Sequence, residues 1–256
     1  MNKSLKITLV AVLVSISSFG QNETGYSYKI HSHNDYMRDV PFWEAYANKA
    51  SSIEVDIVLK NDTLYVAHET ESINSKKTLK ALYLKPISKA FSLSDKERSN
   101  LQLLVDLKNK PYATLEKLII LLKEYKYLLK TGDKKGLSIV ISGRRPAVSD
   151  YNKYPDFITF DYQKLDDIPQ ESWSKVGLIS LDFQDFSEWN GKGRLTSEDY
   201  IKVNNVIQKA HAYQKPFRFW GTPDSKTSWK VFAELGVDFI NTDMPYKATK
   251  YLKTLN

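Results

Sequence analysis

Glu54 and Asp56 stand two residues apart in Ser-Ser-Ile-Glu-Val-Asp-Ile-Val, a stretch otherwise as apolar as a buried strand. Side chains at i and i+2 of a strand share a face, so on an inward face the two carboxylates converge. Two ionised carboxylates that close raise each other's pKa values unless a cation lies between them. A donor set made only of oxygens suits Ca²⁺ or Mg²⁺. Asp106, in Leu-Leu-Val-Asp-Leu, and the amide oxygen of Asn34 complete such a set. The alternative is that Glu54 and Asp56 face outward while Val55 and Ile57 pack inside.

The chain has four histidines. His31, His33 and His68 fall at predicted strand ends beside these carboxylates, whereas His211 lies in a predicted helix and reads as structural. Imidazole titrates near neutral pH, so the first three suggest proton transfer next to a cation.

Strand-like runs are expected at Tyr28–His33, Ser52–Leu59, Leu64–His68, Gln102–Leu107, Leu137–Ser142, Phe157–Asp161, Val176–Leu181, Pro216–Gly221 and Phe239–Thr242. Helical spacing covers Thr114–Leu129, a stretch from the N-cap Ser197 to about Gln214, Ser225–Leu235 ending at Gly236, and Tyr246–Leu255. About eight strand–helix alternations predict a single α/β domain folded as a (β/α)₈ TIM barrel. No Gly-rich phosphate loop follows any strand, which argues against a dinucleotide fold or a P-loop. Barrels of this kind carry their chemistry at the C-terminal strand ends. That rule adds Lys108, Arg144 and Trp220 as candidate substrate contacts, with His31 beside them. Asp182–Arg194 reads as a long loop able to act as a lid, and Asp243 as a cap on the mouth.

The stretch His-Ser-His-Asn-Asp-Tyr, followed by Ser-Ser-Ile-Glu-Val-Asp-Ile-Val-Leu-Lys-Asn-Asp-Thr-Leu-Tyr-Val-Ala-His-Glu, resembles the superfamily of phosphatidylinositol-specific phospholipases C and glycerophosphodiester phosphodiesterases. Leu-Gly-Val-Asp-Phe-Ile-Asn-Thr-Asp-Met-Pro is similar to the last strand of glycerophosphodiesterases. The resemblance implies a TIM barrel, a Ca²⁺ or Mg²⁺ ion, and cleavage of a phosphodiester by two histidines. It implies His33 and His68 as the catalytic pair, Asn34, Glu54, Asp56 and Asp106 as metal ligands, and Lys108 as a phosphate contact. Asp106 stands where many relatives have Glu, and Asn34-Asp35 replaces the Arg-Gly that usually follows the first histidine of glycerophosphodiesterases.

Met1–Lys6 is basic, Ile7–Ser15 is apolar and Ser17–Gly20 is small, the layout of a cleaved signal peptide. Residues 21–256 then form the mature domain, with a formal charge reduced from +7 to +5 by loss of Lys3 and Lys6. The chain has no cysteine, so thiolate metal sites and a lipobox are excluded. A secreted or periplasmic protein that is not a lipoprotein is expected. Scattered basic residues suit a small anionic phosphodiester better than nucleic acid. No transmembrane segment is expected; transient membrane-surface contact stays open, although no hydrophobic loop marks docking. Two rivals remain: a zinc amidohydrolase-type site, which lacks histidines on the middle strands, and a barrel that binds a glycan or phospholipid head group without catalysis.

Overall fold

The runs rich in Ile, Val and Leu become strands because their branched side chains pack well on a pleated, two-sided buried surface. In the computed structural model, residues 28–93, 100–132 and 134–255 are described. The expected signal peptide lies outside them. The strands are β1 (Lys29–Ser32), β2 (Ser52–Lys60), β3 (Thr63–Val66), β4 (Leu101–Leu107), β5 (Leu137–Gly143), β6 (Ile158–Tyr162), β7 (Val176–Asp182), β8 (Phe217–Trp220) and β9 (Phe239–Thr242). All but β3 run parallel, and pairing of β1 with both β2 and β9 closes them into the expected eight-stranded barrel. β3 folds back antiparallel on β2 through the turn at Asn61-Asp62.

The helices are α1 (Trp43–Ala47), α2 (Lys85–Leu93), α3 (Pro111–Glu124), α4 (Ser197–Ala212), α5 (Lys226–Glu234) and α6 (Pro245–Leu252). Two crossovers differ from the expected helices. Those after β5 and β6 carry only 3₁₀ turns at Val148–Lys153 and Gln170–Lys175, because each is short and interrupted by Pro146, Pro155 or Pro169. Helix α4 is capped by Thr196, whose hydroxyl accepts from Asp199 N, and not by Ser197. The predicted helix over Thr114–Leu129 begins earlier, at Pro111, and breaks after Glu124 into a 3₁₀ turn.

The main core fills the layer between barrel and helices. Ile53, Val55 and Ile57 of β2 are fully buried there, with Leu103, Val105 and Leu107 of β4. Burial of each such side chain contributes about 1.5–3 kcal/mol. Glu54 and Asp56 therefore point into the barrel, which excludes the outward alternative. Inside, Leu104, Val140, Leu178 and Phe239 form a small separate apolar layer. Polar side chains occupy the rest of the interior, up to the C-terminal mouth.

Candidate active site

Glu54 is held by donors on one of its two oxygens. Gln102 Nε2 donates to Ser52 Oγ at 2.8 Å, and Ser52 Oγ lies 2.7 Å from His31 Nδ1. The other ring nitrogen, His31 Nε2, lies 2.8 Å from Glu54 Oε2. Arg218 Nη1 donates to the same Oε2 at 2.9 Å and to Asn241 Oδ1 at 3.1 Å. Burial and the Arg218 charge hold the His31 pKa at about 3, so the ring is neutral, and Arg218 Nη1 stands 2.6 Å from the same Nε2. Burial works against the Glu54 charge, but the donors His31 and Arg218 outweigh it and hold the carboxyl well below the usual range. Among the described residues, Glu54 Oε1 has no donor closer than His33 Nε2 at 4.0 Å.

Asp56 is divided in the same way. Its Oδ2 accepts from the Tyr36 hydroxyl at 2.8 Å and His68 Nδ1 at 2.7 Å, with Lys108 Nζ at 3.0 Å. Its Oδ1 is buried without a partner. Asp106, one strand over in register with Asp56, has Lys108 Nζ 3.2 Å from Oδ1 but no well-aligned hydrogen bond there. Burial and the negative charges of Asp56 and Glu54 push Asp106 up to about 6, against the pull of Lys108. Glu54, Asp56 and Asp106 each offer an oxygen within 4.8 Å of the others. The interior thus holds four carboxylates, counting the buried Asp161, against the two cations Arg218 and Lys108. Partnerless inward oxygens and two uncompensated negative charges fit a divalent, oxygen-liganded ion.

Gly143 makes room for Asp106. It sits at φ +67°, and a Cβ added there would collide with Asp106 Oδ1 and lie 2.7 Å from its Cγ. Gly143→Ala should displace that carboxylate. The expected result is a divalent-ion affinity at least about tenfold weaker, together with strain of about 1–2 kcal/mol from the left-handed backbone. Calorimetric titration with Ca²⁺ and Mg²⁺ checks it, and unchanged affinity would remove Asp106 from the ligand set.

His33 and Asn34 sit on the loop that leaves β1. Asn34 adopts φ +48°, a conformation that Asn tolerates better than most residues. The neighbouring Asp35 is fully buried and accepts from Ser32 Oγ at 3.1 Å, Phe42 N at 2.6 Å and Tyr83 Oη at 2.9 Å. Tyr83 lies in a π-helical turn, Lys80–Leu84, ahead of α2, a widened turn of the kind found at functional sites. The buried carboxylate thereby staples the loop to the barrel wall. Tyr36 Oη lies 3.3 Å from Asn34 Oδ1 as well as on Asp56. On the far side, Asp243 Oδ1 lies 2.9 Å from His33 Nδ1. Burial would lower the His33 pKa, but the bond to Asp243 and the charge of Glu54 outweigh it and raise the pKa above its ordinary value.

One cavity of about 540 Å³ gathers His33, Asn34, Glu54, His68, Asp106, Lys108, Arg144 and Trp220, with Gln163 and Arg218. Asp56 lies directly behind it, fully buried. His31 is the exception. It is fully buried with both ring nitrogens engaged, so it orients Glu54 and cannot meet substrate as expected. The loop after β7 lines a separate hollow with Gly221–Pro223 and not the cavity wall. Arg218 was missed, though its signal was available: an Arg alternating with Phe217 and Phe219 in a buried strand must point inward, as Glu54 does. Tyr36 and the inner network Asp161–Ser142–Ser180–Gln163 were missed because tyrosine and serine are unremarkable in sequence.

Comparison with known proteins points the same way. Residues 23–100 match an AIM6-like phosphodiesterase domain, and residues 216–246 match the glycerophosphoryl diester phosphodiesterase family. A homologue of altered inheritance of mitochondria protein 6 from Arthroderma benhamiae is 47% identical over 64 residues, covering 23% of this chain and 20% of that protein. Altered inheritance of mitochondria protein 6 from Kluyveromyces lactis is 27% identical over 292 residues, covering 84% of this chain and 70% of that protein. The crystal structure of a glycerophosphodiester phosphodiesterase from Parabacteroides distasonis superposes with a TM-score of 0.60 at 14% identity, covering 90% of this chain and 99% of that one, and shares the fold.

Proposed function

The chain belongs to the superfamily of glycerophosphodiester and phospholipase C-like phosphodiesterases, and on that premise we propose that it is an exported, divalent-metal-dependent phosphoric diester hydrolase. The carrying observation is the cluster of Glu54, Asp56 and Asp106, each offering an oxygen within 4.8 Å of the others, flanked by His33 and His68. Glu54, Asp56, Asp106 and Asn34 would hold Ca²⁺ or Mg²⁺. When bound, such an ion supplies Lewis-acid polarisation of a phosphate oxygen.

The protein's own groups do the rest. Asp243 fixes His33 through Nδ1, leaving Nε2 to accept a proton from the attacking hydroxyl. Asp56 fixes His68 through Nδ1, so that the protonated ring gives its Nε2 proton to the departing alkoxide. Lys108 and Arg144 line the cavity and neutralise the diester's charge, Arg144 with a two-pronged donor set. Trp220 walls the substrate. A small organophosphate diester derived from phospholipid fits a cavity of this size.

The test is turnover of a chromogenic phosphodiester by the mature protein with Ca²⁺, with Mg²⁺ and with chelator, beside Glu54→Ala. Turnover that requires the ion and vanishes in the variant supports the reading. Turnover indifferent to chelator, or undiminished in Glu54→Ala, would sink it.

A further inference from the structure

A second hollow, of about 540 Å³, adjoins the catalytic cavity, and His68 lines both. Its walls come from the loop after β1 and the loop after β3. Arg38, Glu69 and Lys77 carry its fixed charges. The Glu69 carboxylate is already committed, since it accepts from Ser72 N and closes the short turn that follows. The two cations are not. Arg38 Nη2 reaches the His33 carbonyl at 3.5 Å, while Arg38 Nε is buried without a partner. Among the described residues, Lys77 Nζ has neither a carboxylate nor another acceptor in reach. The backbone nevertheless fixes Lys77 at this wall: its carbonyl accepts from Val66 N at 2.8 Å, and its N–H donates to Asn74 O at 2.9 Å.

A buried donor without an acceptor is destabilising, most of all on a charged group. An anion in the hollow would give Arg38 Nε the acceptor it lacks and Lys77 a counter-charge. A cationic group would meet both side chains as like charges. The position of the hollow says which part of a diester reaches it. In-line displacement puts the attacking and departing oxygens on opposite sides of phosphorus. With His33 taking the proton of the attacking hydroxyl, the P–O bond to the alcohol breaks on the His68 side. There His68 Nε2 gives the departing oxygen its proton, and the rest of the alcohol extends toward the hollow that shares this ring.

We propose that this hollow is a leaving-group subsite, in which Arg38 and Lys77 select a departing alcohol that itself carries an anionic oxygen group such as a second phosphate. The assignment of the departing side rests on the hydrolase reading above. The charge preference of the hollow does not, since it follows from Arg38 and Lys77 alone. Neither residue stands out in the sequence, and only the return of the chain after β3 brings Lys77 to the same hollow as Arg38.

The test compares soluble diesters that differ in the charge of the departing alcohol: glycerophosphocholine, glycerophosphoglycerol and bis(glycerophospho)glycerol. For the mature protein, kcat/KM is expected to be about tenfold higher on the anionic bis(glycerophospho)glycerol than on neutral glycerophosphoglycerol, and lowest on the choline diester. In Lys77→Gln and in Arg38→Gln/Lys77→Gln the anionic preference should fall to within about twofold. A fold merely weakened by substitution would lose rate equally on all three. A second arm needs no turnover: glycerol 3-phosphate is titrated calorimetrically into the protein in chelator, and the double variant should bind it about tenfold more weakly or worse. A wild type without the anionic preference, or a double variant that keeps it, would overturn the proposal. Hydrolysis of none of the three diesters would count against the hydrolase, and the titration then decides the subsite. Glycerol 3-phosphate bound equally by wild type and double variant, or by neither, overturns it.

Discussion

His33→Ala and His68→Ala are each expected to lower phosphodiester turnover by roughly a hundred- to ten-thousandfold, the usual worth of a positioned proton-transfer group. Both rings touch the cavity, and each is fixed by a carboxylate that leaves Nε2 as the reacting atom. The two variants should differ in how they fail. His68 is well exposed at the mouth, so its loss should fall on the leaving alcohol. A diester with a nitrophenolate leaving group, which needs no proton, should restore much of the His68→Ala rate and little of the His33→Ala rate. Steady-state kinetics on an alkyl and a nitrophenyl diester separate the two roles. Equal loss on both substrates would show that His68 is not the acid.

Arg218→Met is expected to cost about 3–5 kcal/mol of stability, the penalty for breaking a buried ion pair on one side. For a domain of this size that lowers the melting temperature by on the order of 10 °C. Arg218 and Glu54 are both almost fully buried. Without the guanidinium, Glu54 keeps only His31 as a close donor, and Asp161 loses the cation 3.9 Å away. The double variant Arg218→Met/Glu54→Gln should recover part of the loss, because the stranded charge goes with its partner. Calorimetric unfolding of wild type and the three variants gives the cycle. A loss under about 1 kcal/mol in Arg218→Met would mean that the pair is not what holds this part of the interior.

The barrel and much of the site were legible in the sequence for one physical reason. Ionisable residues inside apolar, β-branched runs are expensive to bury, so Glu54, Asp56 and Asp106 announce an inward polar layer. Period two then puts Glu54 and Asp56 on one face. The same logic, applied to Phe-Arg-Phe-Trp, would have yielded Arg218. Other features needed the fold. His31 and His33 look equivalent in His-Ser-His, yet His31 lies deeper along the strand, on Ser52 and Glu54, whereas His33 emerges at the mouth. Asp35 reads as one more carboxylate of the cluster, but three donors spread over Ser32, Phe42 and Tyr83 make it a staple. The crossovers after β5 and β6 were expected as helices from the alternation alone, and their prolines decide otherwise.

The most direct measurement follows one soluble glycerophosphodiester by phosphorus-31 NMR in the presence of chelated protein, before and after Ca²⁺ or Mg²⁺ is restored. The diester resonance is expected to persist until the ion is added and then to give way to a monoester, with no conversion by Glu54→Ala. Conversion in the presence of chelator would contradict the metal-dependent site. A folded, ion-binding protein that leaves this and other head-group diesters intact would contradict the hydrolase itself.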